Sequence, residues 1–131
     1  MPADAQEAAP LGILLLSGAH ERAHYAFVLA AAAAALGRAV VMFASNEGCR
    51  ALCRDWSGLD EAGRDAGLRA RGLPGIGELR EAAAELGVRR IACDLGLRIA
   101  AIPPDALDAG VEIAGVATFL DATRGGQMLT L

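Results

Sequence analysis

Cys93 is the residue of this chain best placed for chemistry. It stands where the apolar run Arg90-Ile91-Ala92-Cys93 gives way to the helix-like run Asp94-Leu95-Gly96-Leu97-Arg98. A thiol at the carboxyl end of a strand, facing the first turn of a helix, meets unpaired N–H groups and partial positive charge. Both favour the thiolate. The chemistry this would serve is nucleophilic attack on sulfur or another electrophile. Asp94 acts the other way, because a neighbouring carboxylate raises a thiol pKa. The plain structural alternative is a small core side chain at a strand end.

Cys49 and Cys53 lie four residues apart in a run expected to be helical, which would place both thiols on one face. That spacing suits a vicinal thiol pair or half a metal site, but no second ligand pair accompanies it. Cys49 follows a strand's carboxyl end and is the candidate second thiol near Cys93. Cys53 reads as core.

His20 and His24 are the two histidines, and His20-Glu21-Arg22-Ala23-His24 satisfies the HExxH pattern of zinc proteases. Here the pattern opens a helix directly after the first expected strand, with no further histidine to complete the ligand set, so no metal is expected. A role for His20 as acid or base beside Cys93 remains open. Ser17 and Gly18, with the N–H groups that open the same helix, could receive an anion, although a tight turn between strand and helix needs the same residues. Ser17, Gly18 and Asp94 are the expected ligand-binding residues. Gly75-Ile76-Gly77 follows a loop and not a strand, so it is no dinucleotide fingerprint, and no cofactor is expected.

The elements that must position these groups can be read from the apolar runs. Leu11–Leu16 and Ala39–Ala44 are short and continuously apolar, as parallel strands buried on both faces are. Further strands are expected over Val88–Cys93, Val111–Ala114 and Gln127–Leu131. Helices are expected over His20–Leu36, Glu47–Trp56, Ile76–Leu86 and Val116–Thr123, with a helical turn after Cys93. Ser57–Gly75 reads as an irregular excursion with one weak turn of helix, the kind of long connection that often covers a site. Alternating strands and helices predict one α/β domain with a mainly parallel sheet of about five strands, over 11–131, preceded by a flexible segment over 1–10. If strand one is central, with the switch point between strands one and three, Ser17–His20 and Cys93 face one crevice.

Composition narrows the class. The 131 residues are 54% hydrophobic with a net charge of −4, and mean hydropathy is +0.37. No apolar stretch approaches the roughly 20 residues of a membrane span. All the basic residues are arginines, scattered along the chain, which argues against a nucleic-acid stripe. An odd number of cysteines and an acidic first segment point to the cytoplasm. Surplus apolar surface on alanine-rich helices predicts a homo-oligomer.

Taken together, His24–Ala30, Val41–Ala44, Gly48–Leu52, Ala92–Arg98 and Val111–Leu120 make the chain resemble the DsrE-like (DsrE/DsrF) proteins of sulfur relay, particularly their small stand-alone members. The resemblance implies a three-layer, Rossmann-like subunit assembled into trimers or hexamers. It also implies that Cys93 carries sulfur as a persulfide, exchanged with donor and acceptor proteins. Asp94-Leu95 stands where that family commonly has Glu followed by Met or a similar residue. The expected function is therefore a sulfur carrier or sulfurtransferase. The alternatives are a non-catalytic module that binds a small anion, and an oligomeric regulatory subunit.

Overall fold

Residues 9–131 are described by the computed structural model, so the expected flexible segment lies outside the described residues for positions 1–8. Five strands form one sheet: β1 (Leu11–Leu15), β2 (Val40–Ala44), β3 (Arg89–Cys93), β4 (Glu112–Ala114) and β5 (Gln127–Thr130). All neighbours pair in parallel. The architecture is α/β, a Rossmann-like three-layer domain.

The strand order is β4-β3-β2-β1-β5. This corrects the expected switch point. β1 is flanked by β2 and β5, so β3 lies two strands away, about 9–10 Å at ordinary inter-strand spacing. The direction of winding reverses between β1 and β5. The expected crevice between strands one and three therefore does not form.

One face of the sheet carries α1 (His20–Ala35) and α3 (Ile76–Glu85), which pack on each other and over Leu11, Ile13, Leu15, Met42 and Ala44. Along α1 the buried residues Ala23, Ala26, Phe27, Ala30 and Ala33 recur every three or four positions, the spacing of one helical stripe. Small side chains there let α1 lie close to the sheet. Gly37 and Gly87 follow the two helices with φ of +88° and +84°, a conformation in which glycine ends a helix without strain.

The opposite face is thinner. α5 (Val116–Ala122) lays Phe119 on Phe43, ring centroids 4.8 Å apart and nearly parallel. Val41, Ile91 and Cys93 complete this smaller cluster. A Cβ on Gly12 would come within 2.7 Å of the Thr123 side chain and 3.1 Å of Phe119, so the glycine in β1 is what admits α5.

Two connections differ from expectation. The α-helix expected over Glu47–Trp56 is a 3-10 helix over Asn46–Leu52, followed by a 3-10 turn over Trp56–Gly58. Gly48 explains the tight winding: its N–H donates to Leu16 O and Ser45 O, and a Cβ would collide with the Leu15 carbonyl. The segment is thus pressed onto the end of β1. In the excursion after it, the weak turn is a regular helix, α2 (Arg64–Ala70).

Candidate functional site

Cys93 closes β3 and caps α4 (Asp94–Ile99), where its Sγ accepts the Gly96 N–H at 3.4 Å. Strand alternation turns the thiol to the thinner face of the sheet, in the cluster that holds Phe43, Ile91 and Phe119, and leaves the residue 6% exposed. A neutral sulfur is a weak acceptor, whereas a thiolate makes this a charge-assisted bond. Gly96 is needed at this point because a Cβ there would collide with Ser45 Oγ and the Asn46 N–H. The start of α4 is therefore seated directly on the β2 end. Asp94 is exposed and pairs with Arg98 at 2.9 Å, so its charge is answered at the surface.

Cys49 and Cys53 do not share a helix face, because a 3-10 helix turns every three residues and ends before Cys53. Cys49 is fully buried and donates to Ala44 O. Burial pushes its thiol up to about 12, with the Cys93 N–H acting in the lowering direction and the nearby Cys93, Cys53 and Glu47 in the raising one. Burial raises Cys53 as well. Cys49 thus lies beside Cys93 as a neutral thiol.

Unfolding returns Cys49 to its ordinary range. The stability associated with it is complete below pH 9.0 and is lost as pH rises toward about 12. Urea midpoints measured from pH 8 to 11 should fall across that window, and less steeply in Cys49→Ala.

His20 is not beside Cys93. It opens α1 on the other face of the sheet, is 0% exposed, and has both ring nitrogens engaged. Nε2–H donates to Asp65 Oδ1 at 2.8 Å, and Nδ1 accepts from the Arg64 guanidinium at 3.2 Å. His24 stacks on it at 5.6 Å and donates its own Nε2–H to Pro74 O. These partners leave the HExxH pair no common metal-facing lone pairs. Burial acts to raise the Asp65 carboxyl, but hydrogen bonds from His20 and the Ile76 N–H outweigh it and hold the group below its usual range.

The turn at Ser17 and Gly18 is occupied by the chain itself. Ser17 Oγ accepts the Ala19 N–H, the Asp60 N–H donates to Gly18 O, and the His20 N–H donates to Asp60 O. Glu47 crowds Gly18 as well. The first donor expected for an anion is thus spent on the excursion that crosses it.

Residues that sequence reasoning did not single out organise the rest. Asp65, Arg64 and Trp56 surround His20. Arg54, Arg80, Arg90 and Asp108 gather at the other end of the sheet. One signal was available: adjacent arginines at the start of a strand point to opposite faces, so one of Arg89 and Arg90 had to face inward.

No protein-family model and no curated protein matches the chain. Among solved structures it is similar to a protein of unknown function from Methanobacterium thermoautotrophicum. The likeness has a TM-score of 0.56 at 18% identity, over 93% of this chain and 98% of that one. At that identity the likeness concerns the fold.

Proposed function

We propose that the protein is a persulfide sulfur carrier or sulfurtransferase of the DsrE-like kind, with Cys93 as the sulfur acceptor. The observation that carries this reading is the Gly96 N–H directed at Cys93 Sγ where β3 passes into α4. The Cys93 thiolate attacks the outer sulfur of a donor persulfide. The donor's S–S bond breaks, its thiolate leaves, and the outer sulfur stays on Cys93 as a persulfide. A second exchange of the same form passes that sulfur to an acceptor thiol, so electrons balance without an external oxidant. The Gly96 N–H faces Cys93 Sγ, the sulfur that carries charge before the first exchange and regains it as the leaving group of the second. Cys49 is the neighbouring thiol, kept protonated by burial and so a poor competitor for the donor.

Intact mass after exposure to a persulfide donor tests the reading. The wild-type protein should gain one sulfur atom and Cys93→Ser none. Equal loading of the two would sink it.

The same reading places the protein in the cytoplasm as a homo-oligomer, trimer or hexamer, that meets donor and acceptor proteins. Two apolar stripes support self-association: Leu95 with Ile99 on α4, and Val116 with Leu120 on α5, each side chain more than half exposed. Sedimentation should show an assembly that Leu120→Glu weakens; a monomeric wild type would remove this part of the reading. No helix among the described residues is long and apolar enough to cross a membrane.

A further inference from the structure

Three arginines converge near the amino end of β3, the end opposite Cys93. Arg90 points to the α3 face and Arg80 comes from α3. Each has a side chain only 10% exposed, and they share one carboxylate, Asp108, at 3.3 and 2.9 Å. Backbone carbonyls also hold them: Arg80 donates to Cys53 O at 2.7 Å, and Arg90 to Ala109 O at 3.2 Å. Arg54 donates to Leu107 O and Asp105 O. Arg90 Nε–H is buried and has no acceptor among the described residues, a condition rare in folded proteins.

These arginines line a cleft of about 390 Å³ together with Trp56, Asp108 and the exposed rim residue Glu81, a volume in the range of small-molecule sites. Two nearly buried guanidinium ions answered by one carboxylate leave a positive charge uncompensated. Buried charge without a counter-charge is unfavourable. The planar forks are held in place by carbonyls, so an arriving oxyanion would not have to order them.

We propose that this cleft binds a small organic anion, its carboxylate or phosphoryl group against Arg80 and Arg90 and its flat body on Trp56. The site lies on the opposite sheet face from Cys93 and three residues back along β3, roughly 10 Å. It does not depend on the sulfur chemistry.

Trp56 is the single tryptophan of the chain, so its fluorescence reports the cleft directly. At constant pH and ionic strength the protein is titrated with benzoate, inorganic phosphate and, as a neutral isostere, benzamide. Benzoate or phosphate should give a saturable change and benzamide none. Response to both anions identifies the oxyanion as the recognised group; response to benzoate alone adds the requirement for a flat body. Arg90→Gln should weaken binding by about tenfold. Because that variant disturbs a buried network, Glu81→Gln supplies a second reading from the exposed rim, where loss of a negative charge should tighten binding by about two- to fivefold. Cys93→Ser should bind as wild type. Absence of any saturable change, an equal response to benzamide, or weaker binding in Glu81→Gln would overturn the proposal.

Discussion

Replacing Asp65 with alanine is expected to lower the unfolding free energy by about 3–5 kcal/mol, the range for removing one member of a buried, hydrogen-bonded polar pair. Asp65 is 3% exposed, and its Oδ1 accepts both the His20 Nε2–H and the Ile76 N–H, each at 2.8 Å. Alanine would strand an imidazole with no solvent contact and the first amide of α3. It would also release α2, in which Asp65 is the one buried residue. Small domains hold only about 5–15 kcal/mol in all, so the variant should be marginal at room temperature. The carboxyl lies below its usual range in the folded protein, so its stabilisation is complete above the unfolded value of about 4 and is lost as pH falls through the folded one. Urea denaturation at pH 7 and at pH 3 gives both results. A midpoint at pH 7 equal to that of the wild type would show that the pair does not hold the excursion in place.

Phe119→Ala should cost a similar amount, about 3–5 kcal/mol, through lost burial and the cavity left behind. The ring is 1% exposed and stacked on Phe43. It also belongs, with Phe43, Ile91 and Cys93, to the cluster on the thinner face. The substitution therefore has a second readout. Alkylation of Cys93 under native conditions should accelerate once the cavity admits the reagent, while Cys49, fully buried with a thiol pushed up to about 12, stays slow. Unchanged stability together with an unchanged alkylation rate would mean that Phe119 neither packs nor shields as described.

Most of the framework was legible in the sequence because its signals are local. Continuous apolar runs over Leu11–Leu15 and Val40–Ala44, and glycines after α1 and α3, are set by neighbouring residues alone. The junction at Cys93 was legible for the same reason: strand, cap and first turn are contiguous. The 3-10 winding at Gly48 was not, because it answers to the Leu15 carbonyl more than thirty residues earlier. Strand order was hidden too, since nothing in β5 states that it pairs with β1. With that order unknown, His20 was brought to the wrong neighbour. Its actual partner, Asp65, lies in a stretch dominated by exposed residues, where one inward carboxylate leaves no periodic trace.

The pairing of β5 with β1 also bears on how the chain reaches its fold. β1 precedes its partner β5 by more than a hundred residues, and its outer edge is filled only by Gln127–Thr130 and by Leu131, whose N–H and C=O bond Leu14 and Leu16. Until β5 leaves the ribosome, an inner strand of the finished sheet has one open, apolar edge, a template for unwanted pairing with other chains. Closing it joins segments far apart in the sequence, a contact of high order that slows folding. The step that completes the sheet is thus expected to be the slowest and the most sensitive to concentration, and chaperone dependence during synthesis should be concentrated there.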